Sequence, residues 1–152
     1  MIYVGRFTVT RAAAGDAQEL TRLCHVSNAY QGRYAEAIAT VVVTTSYIAE
    51  HLVFLAVDHD AHVLGFYSLI RDPPELDMLF VADRAQGQGI GGALVKHMME
   101  RARQIGIEGV RVVSHPPAEG FYRSVGARRT GVVPAKPPLI TWERPDLWFT
   151  VT

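Results

Sequence analysis

A glycine-rich segment between a predicted strand and a predicted helix constrains this chain more than any other feature. Residues 86–92 read Gln-Gly-Gln-Gly-Ile-Gly-Gly and follow an apolar run at 76–81. The apolar residues after it recur at steps of three and four, on one face of an α-helix: Ile90, Leu94, Met98, Ala102 and Ile105. Glycines carry no Cβ, so backbone N–H groups at this helix start can reach an anion that the helix dipole also favours. The segment therefore predicts a pyrophosphate site.

Composition narrows the classes of protein that this chain can belong to. Its 152 residues predict one domain, 1–152, and its 15 basic and 15 acidic side chains balance, which argues against a nucleic-acid partner. Cys24 is the single cysteine, and no histidines show metal-ligand spacing, so we expect no disulfide and no metal. With no signal-peptide pattern and no apolar run of membrane-spanning length, we expect a cytoplasmic enzyme or binding module that does not enter a membrane.

Hydrophobic periodicity predicts a mixed α/β domain. The predicted order is a strand, two helices, three strands, a helix, a strand, a helix and closing strands. The first strand is predicted at 3–10, the first helix from Asp16 to near Gly32, and the second helix over about 34–50. The closing strands are predicted at 128–133, 140–142 and 147–151.

The glycine segment literally matches Gly-x-Gly-x-x-Gly, the fingerprint of dinucleotide-binding folds. That motif needs an acidic residue at the end of the next strand to bind a ribose. Here the next strand ends in Ser114-His115-Pro116, and the glycines follow the fourth predicted strand instead of the first. A nicotinamide-dependent dehydrogenase is therefore the weakest of the alternatives.

A second pattern fits the segment more closely. Gln86-x-x-Gly89-x-Gly91 is followed, after a helix and a short strand, by Ala118-x-x-Phe121-Tyr122-x-x-x-Gly126. Over about residues 75–127 the chain resembles the GNAT superfamily of N-acetyltransferases. The resemblance implies an α/β fold with a mixed central β-sheet flanked by helices, in which splayed central strands form an acetyl-CoA cleft.

The resemblance also implies which residues would bind acetyl-CoA. The residues of the glycine turn would surround the pyrophosphate: Gln86, Gly87, Gln88, Gly89, Ile90, Gly91 and Gly92. Among them, the backbone amides of Gln88, Gly89, Gly91 and Gly92 would donate to it. The pantetheine arm would pair with the backbone around Leu79, Phe80 and Val81. The Leu79 amide would face the thioester carbonyl, where it is the natural donor to a developing oxyanion.

Tyr122 and Glu75 are the predicted catalytic residues. Tyr122 fills the family's general-acid position, and a phenol remains protonated at neutral pH and can donate to a leaving thiolate. Glu75 has the spacing of the glutamate that serves as base in some members. Alternation along a strand would put Asp77 on the same face, so Asp77 remains a second candidate. His115 stands where many members have Asn, and is expected to cap the next helix.

The amine that accepts the acetyl group is expected at the loop between the first two helices, where Tyr30, Arg33 and Tyr34 cluster. The alternative is that these three residues are ordinary loop residues without a role in binding. The predicted activity is direct acetyl transfer to the amine of a small molecule or peptide, because Cys24 lies outside the motifs. A GNAT-like sensor that holds acyl-CoA without turnover remains an alternative. The apolar C-terminus either completes the sheet or pairs with a second subunit as a homodimer.

Overall fold

The computed structural model describes residues 6–152, and the fold is organised around seven strands. The strands are β1 Phe7–Arg11, β2 Leu52–Asp58, β3 Val63–Arg71, β4 Pro74–Val81, β5 Gly109–Val113, β6 Arg128–Val133 and β7 Arg144–Thr150. The helices are α1 Ala17–His25, α2 Arg33–Ile38, α3 Thr45–Glu50, α4 Ile90–Gln104 and α5 Glu119–Ser124. Short 3₁₀ turns precede α1, the glycine segment and α5: Ala14–Asp16, Asp83–Ala85 and Pro116–Ala118.

The strands form one mixed sheet in the order β1-β2-β3-β4-β5-β7-β6. Neighbouring strands are antiparallel except β4 and β5, which run parallel. In the described chain the parallel pair is joined at one register position, Glu75 opposite Arg111, and the two strands then diverge. The predicted mixed sheet with splayed central strands is therefore confirmed, whereas a dinucleotide-binding domain needs a run of parallel strands.

Helices cover both faces of this sheet, because alternate residues of the central strands face opposite ways. Phe54 of β2 packs in one core with Leu94 and Met98 of α4. Its neighbour Leu55 packs in a second core with Leu23 of α1. The side chains of Leu94 and Met98 are fully buried, as the helical period predicted. None of the helices in residues 6–152 is both long enough and apolar enough to cross a membrane.

The prediction of two helices before β2 was wrong in its boundaries. The first helix ends at His25 instead of near Gly32, and the predicted helix at 34–50 is two short helices. The β-branched residues between α2 and α3 leave the helix because tertiary contacts compete for them. The Val43 amide donates to Thr21 Oγ1 at 2.9 Å, and Thr44 Oγ1 caps α3 by accepting from Tyr47 N at 3.0 Å.

The chain termini also differ from the prediction. The strand predicted at 140–142 is reduced to an isolated bridge between Lys136 and Ile140, and Trp142 is buried outside any strand. The last strand is β7, which starts at Arg144 and fills the sheet between β5 and β6. Of the first predicted strand, residues 3–5 lie outside the described residues, and β1 begins at Phe7.

Candidate active site

A cleft of about 360 Å³ opens where β4 and β5 diverge. It is lined by ten of the twelve predicted site residues: Leu79, Phe80, Val81, Gln86, Gly87, Gly89, Ile90, Gly91, Gly92 and Tyr122. The two others, Gln88 and Glu75, do not line it. Residues from β4, the glycine segment and α5 thus meet in one cavity, as the resemblance implied.

The glycine segment presents a row of unpaired backbone donors to this cleft. Gly87 and Gly89 have φ angles of 76° and 80°, in the left-handed region that glycine adopts without strain. The first amide of α4 that bonds back is Ala93 N, to Gly89 O at 3.0 Å. The amides of residues 87–92 donate to no acceptor within the described chain. Together with the positive end of the 15-residue helix α4, they can hold a diphosphate.

The two glutamines of the segment differ in what their side chains do. Gln86 Nε2 donates to Val81 O at 3.0 Å and ties the turn to the end of β4. Gln88 Nε2 reaches Arg84 O at 3.5 Å, and its Oε1 is buried without a partner in the described chain. The Gln88 side chain therefore contacts the main chain of the turn, and Gln88 itself does not line the cleft.

The edge of β4 that faces the gap carries free main-chain groups. Ala82 N donates to Leu64 O on β3 at 2.8 Å, which fixes the hydrogen-bonding phase of the antiparallel pair. The N–H and C=O groups of successive residues in a strand point to opposite sides. The main-chain groups of Phe80 therefore point toward β3, and those of Leu79 and Val81 point toward β5. The Leu79 N–H therefore points into the gap, where an extended ligand could pair with β4.

Tyr122 occupies the wall of the cleft on α5. Its side chain is 8% exposed and packs edge-on against Phe121 and Phe149, with ring centroids 5.4 Å and 6.4 Å away. Burial, with a smaller contribution from Tyr30, raises the pKa of Tyr122 above its usual value of 10. The Tyr122 hydroxyl makes no hydrogen bond to any residue of 6–152. A phenol that is protonated and free of protein partners is suited to donate a proton to a ligand in the cleft.

Glu75 lies outside the cleft lining, where β4 meets β5. Burial raises the pKa of Glu75 above its usual range, the charge of Asp77 raises it further, and Arg111 opposes both. Arg111 is itself held by Asp146, with Nε to Oδ1 at 2.8 Å and Nη2 to Oδ2 at 2.9 Å. A half-buried carboxylate with a raised pKa is the environment in which a general base works near neutral pH.

β4 contains a bulge at Asp77. Leu76 pairs with Leu69 and Met78 with Ser68, which leaves Asp77 as the extra residue. The exposed Asp77 carboxylate accepts a hydrogen bond from the Tyr47 hydroxyl, which also lies 2.7 Å from Ser68 Oγ. The charge of Asp77 also raises the pKa of Glu75, so Asp77 stays the second candidate for the base.

His115 contributes a second wall of the cleft but does not cap the following turn with its side chain. Its Nε2 lies 2.8 Å from the carbonyl of Ala29, so Nε2 carries the proton and Nδ1 has the lone pair. Nδ1 is buried and has no partner in the described chain. The ring stacks on Tyr30 at 4.0 Å, and burial lowers the pKa of His115, which keeps the imidazole neutral at pH 7.

The residues predicted to meet the acceptor lie together beside this wall. Tyr34 meets the His115 ring edge-on at 4.5 Å and the Trp142 ring at 4.7 Å. The Arg33 guanidinium lies over the rings of Tyr34 and Trp142, 5.2 Å and 5.6 Å from their centroids. Sequence reasoning did not identify Trp142 as part of the site, because its place in the fold depends on a long connection between β6 and β7.

One group of potential metal ligands lies far from the motifs, in the turn between β2 and β3. It consists of Asp58, Asp60 and His62. Asp58 Oδ1 accepts from the amides of Asp60 and His62, each at 2.9 Å, and these bonds lower the pKa of Asp58. The hydrogen bonds of a tight turn account for this carboxylate without an ion.

The fold and the cleft have known counterparts. A protein-family model described as an acetyltransferase (GNAT) domain matches residues 26–135. A GCN5-related N-acetyltransferase from Rhodopseudomonas palustris has a similar structure, with a TM-score of 0.82, 18% identity and 95% of each chain covered. A putative GNAT-family acetyltransferase from Desulfovibrio desulfuricans gives a TM-score of 0.77 at 16% identity, covering 96% of this chain and 99% of its own.

A third similar structure contains the acyl donor. It is a GNAT-superfamily phosphinothricin acetyltransferase from Sinorhizobium meliloti in complex with AcCoA. Its TM-score is 0.69 at 18% identity, and the alignment covers 96% of this chain and 89% of that one. No curated protein matches this chain in sequence.

Proposed function

This chain belongs to the GNAT family of acetyltransferases, and on that premise we propose that it transfers the acetyl group of acetyl-CoA directly to the amine of a small molecule or peptide. The observation that carries the proposal is the row of unpaired amides at residues 87–92, set at the mouth of a cleft between two diverging strands. Such a row favours a diphosphate-bearing ligand. Acetyl-CoA carries such a diphosphate, and its pantetheine arm joins the diphosphate to the acetyl thioester.

The proposed ligand position follows from which backbone groups are free. The amides of Gln88, Gly89, Gly91 and Gly92 hold the diphosphate, and the pantetheine arm pairs with the edge of β4 at Leu79 and the Val81 N–H, since Gln86 Nε2 already occupies Val81 O. The Leu79 N–H then donates to the thioester oxygen as negative charge develops on it. Removal of one such donor from an oxyanion site costs on the order of 10²–10³ in turnover in other enzymes.

The reaction needs a neutral amine, a polarised carbonyl and a protonated leaving group. The amine nitrogen forms a bond to the carbonyl carbon, and the bond from that carbon to sulfur breaks. Tyr122 donates its phenolic proton to the departing thiolate, and the amine proton leaves through a base. Glu75 is the proposed base, acting through water because it lies outside the cleft lining. Its raised pKa supports this role.

Direct transfer is favoured over an acetyl-enzyme intermediate. Cys24 is fully buried in α1, and burial raises the pKa of its thiol to about 12. A thiol with that pKa is almost entirely protonated at pH 7 and is a poor nucleophile. Cys24 also does not line the cleft.

The experiment that tests this function has two parts. We expect the melting temperature of the purified protein to rise as the coenzyme A concentration is increased, and NAD to leave it unchanged. We then expect thiol release from acetyl-CoA when the protein is offered a panel of primary amines. Binding of coenzyme A without amine-dependent thiol release would instead indicate the sensor alternative, and protection by NAD alone would contradict the proposal.

A further inference from the structure

Two loops that are distant in sequence meet beside the cleft and form what we term the Arg33 cluster: Arg33, Tyr34, His115 and Trp142. Arg33 and Tyr34 begin α2, and Trp142 belongs to the connection between β6 and β7. His115 joins the cluster to the cleft, because its ring lies in the cleft wall and stacks on Tyr30. A molecule that reaches from the cleft toward this wall therefore meets the cluster.

The guanidinium of Arg33 is oriented by aromatic contacts and has no anionic partner in the part of the chain that the structure describes. It lies over two rings, and Nη2 donates to the Tyr34 hydroxyl at 3.3 Å. No salt bridge joins Arg33 to any carboxylate of residues 6–152, including Glu36 and Glu143 on the same two segments. An arginine that is stacked in this way keeps most of its donors available in a fixed plane.

Trp142 adds a second donor without an acceptor. Its side chain is 8% exposed, and its Nε1 is buried with no hydrogen-bond partner in the described chain. A buried indole N–H normally has a partner, because leaving one unpaired costs about 1–3 kcal/mol. Arg33 therefore offers donors and one positive charge, and the indole over which it lies carries a further donor with no partner in residues 6–152, which together are the complement of an anion.

We propose that the acceptor amine carries a carboxylate and that the Arg33 cluster binds it, with Arg33 donating to both oxygens and Trp142 Nε1 donating to one of them. The inference rests on the proposed acetyl transfer and names its substrate class, an amino acid or a related amino carboxylic acid. A guanidinium matches a planar carboxylate with two parallel hydrogen bonds. The amine would then project toward the cleft, where Tyr122 and the β4 edge lie.

The test compares matched amines that differ in the carboxylate. We would measure kcat/KM with acetyl-CoA for α-, β- and γ-amino acids, for their carboxamides and for the amines that lack the carboxyl group. The parent protein and the Arg33→Gln, Arg33→Lys and Trp142→Phe variants are assayed, with Arg128→Gln on the edge strand β6 as the matched control. For each protein we take the ratio of kcat/KM for the carboxylate to kcat/KM for its carboxamide. Dividing the parent's ratio by the variant's ratio cancels the intrinsic reactivity of each amine.

We expect at least one amino acid to be preferred over its carboxamide, and Arg33→Gln to reduce that preference by about 10-fold to 100-fold. Arg33→Lys should restore part of it and Arg128→Gln should change nothing. A wild-type protein that acetylates both members of every pair equally, or an Arg33→Gln variant that slows both members equally, would overturn the proposal.

A binding measurement distinguishes a failure of this inference from a failure of the proposed function. We would titrate the same amine pairs calorimetrically into the protein saturated with coenzyme A. Selective binding of the carboxylates that is lost in Arg33→Gln, without turnover, would support the acceptor site while acetyl transfer fails. Turnover of amines without any carboxylate preference would support the transferase and overturn the carboxylate site. Neither binding nor turnover of any pair would overturn both.

Discussion

Glu75 and Arg111 face each other at the one register position that joins β4 to β5 in residues 6–152. β4 and β5 are joined at this pair, and beyond it the strands part to form the cleft. The Arg111 side chain is held by two bonds from Asp146 on β7, so the point of divergence is fixed from three strands. This arrangement supports the proposed base, because it places a carboxylate of raised pKa where the gap begins.

A substitution at Gly92 tests whether the coenzyme diphosphate lies against the start of α4. A Cβ built at Gly92 meets no atom within 4 Å, and Gly92 lines the cleft. We expect Gly92→Ala to raise the free energy of unfolding by about 0.5–1 kcal/mol, because alanine is the better helix former. The same methyl group should weaken coenzyme A binding, because it enters the space proposed for the diphosphate.

The matched control for Gly92→Ala is Gly120→Ala in α5, where a Cβ also meets nothing within 4 Å. Gly120 does not line the cleft, so this variant should gain stability and bind coenzyme A as the parent does. Chemical unfolding and calorimetric titration measure the two effects. Unchanged coenzyme A affinity in Gly92→Ala would contradict the diphosphate position.

Tyr122→Phe removes the proposed acid and little else. We expect turnover to fall by roughly 10²–10⁴-fold, the usual contribution of a positioned acid, while the affinity for coenzyme A stays the same. The melting temperature should also change little, because the Tyr122 hydroxyl has no hydrogen bond to lose within the described chain. Steady-state assays of thiol release and calorimetry make the comparison, and full turnover in the variant would remove Tyr122 from the mechanism.

The pH dependence of kcat/KM distinguishes Glu75 from Asp77. A carboxylate base loses activity as pH falls through its pKa, and the pKa of Glu75 is raised mainly by burial and then by Asp77. We expect Glu75→Gln to abolish the acidic limb. Asp77→Asn should shift that limb to lower pH, because it removes one of the charges that raise the pKa. An acidic limb that persists in Glu75→Gln would assign the base elsewhere, with His115 Nδ1 as the next group to test.

The stability of the protein should depend on pH through His97. Burial, followed by the charge of Arg101, lowers the pKa of His97 below 6.5, and His97 Nδ1 lies 2.8 Å from the Tyr67 hydroxyl. Between the lowered pKa and 6.5 the unfolded chain binds more protons than the folded chain, so stability falls as pH is lowered across that window. Above 6.5 this contribution to the pH dependence disappears.

Unfolding of the parent and of His97→Gln at a series of pH values checks this prediction. The variant should lose the part of the pH dependence that His97 causes, and the remainder should include His115, whose pKa burial lowers in the same direction. Tyr67→Phe removes the hydrogen bond at every pH and separates its effect from that of the charge. An unchanged pH profile in His97→Gln would contradict the assignment.

The sequence alone was sufficient wherever the signal was local. Gly87 and Gly89 fix a tight turn within a few residues, and the period of α4 fixes which face is buried, so the cleft floor could be predicted from spacing. The place of Tyr122 at the cleft was instead an expectation from the family resemblance of the Phe-Tyr motif, and the structure does put Tyr122 in the cleft lining.

Tertiary structure decided what depended on partners far away in the chain. The helix predicted at 34–50 broke because Thr21 and the core bind Val43, and the bulge that makes Asp77 an extra residue of β4 exists only in the pairing with β3. The contacts of Trp142 with Arg33 and Tyr34 cross almost the whole sequence. Helix and strand periods encode the direction of a side chain relative to its own segment, whereas the neighbour it meets is set by how the segments pack.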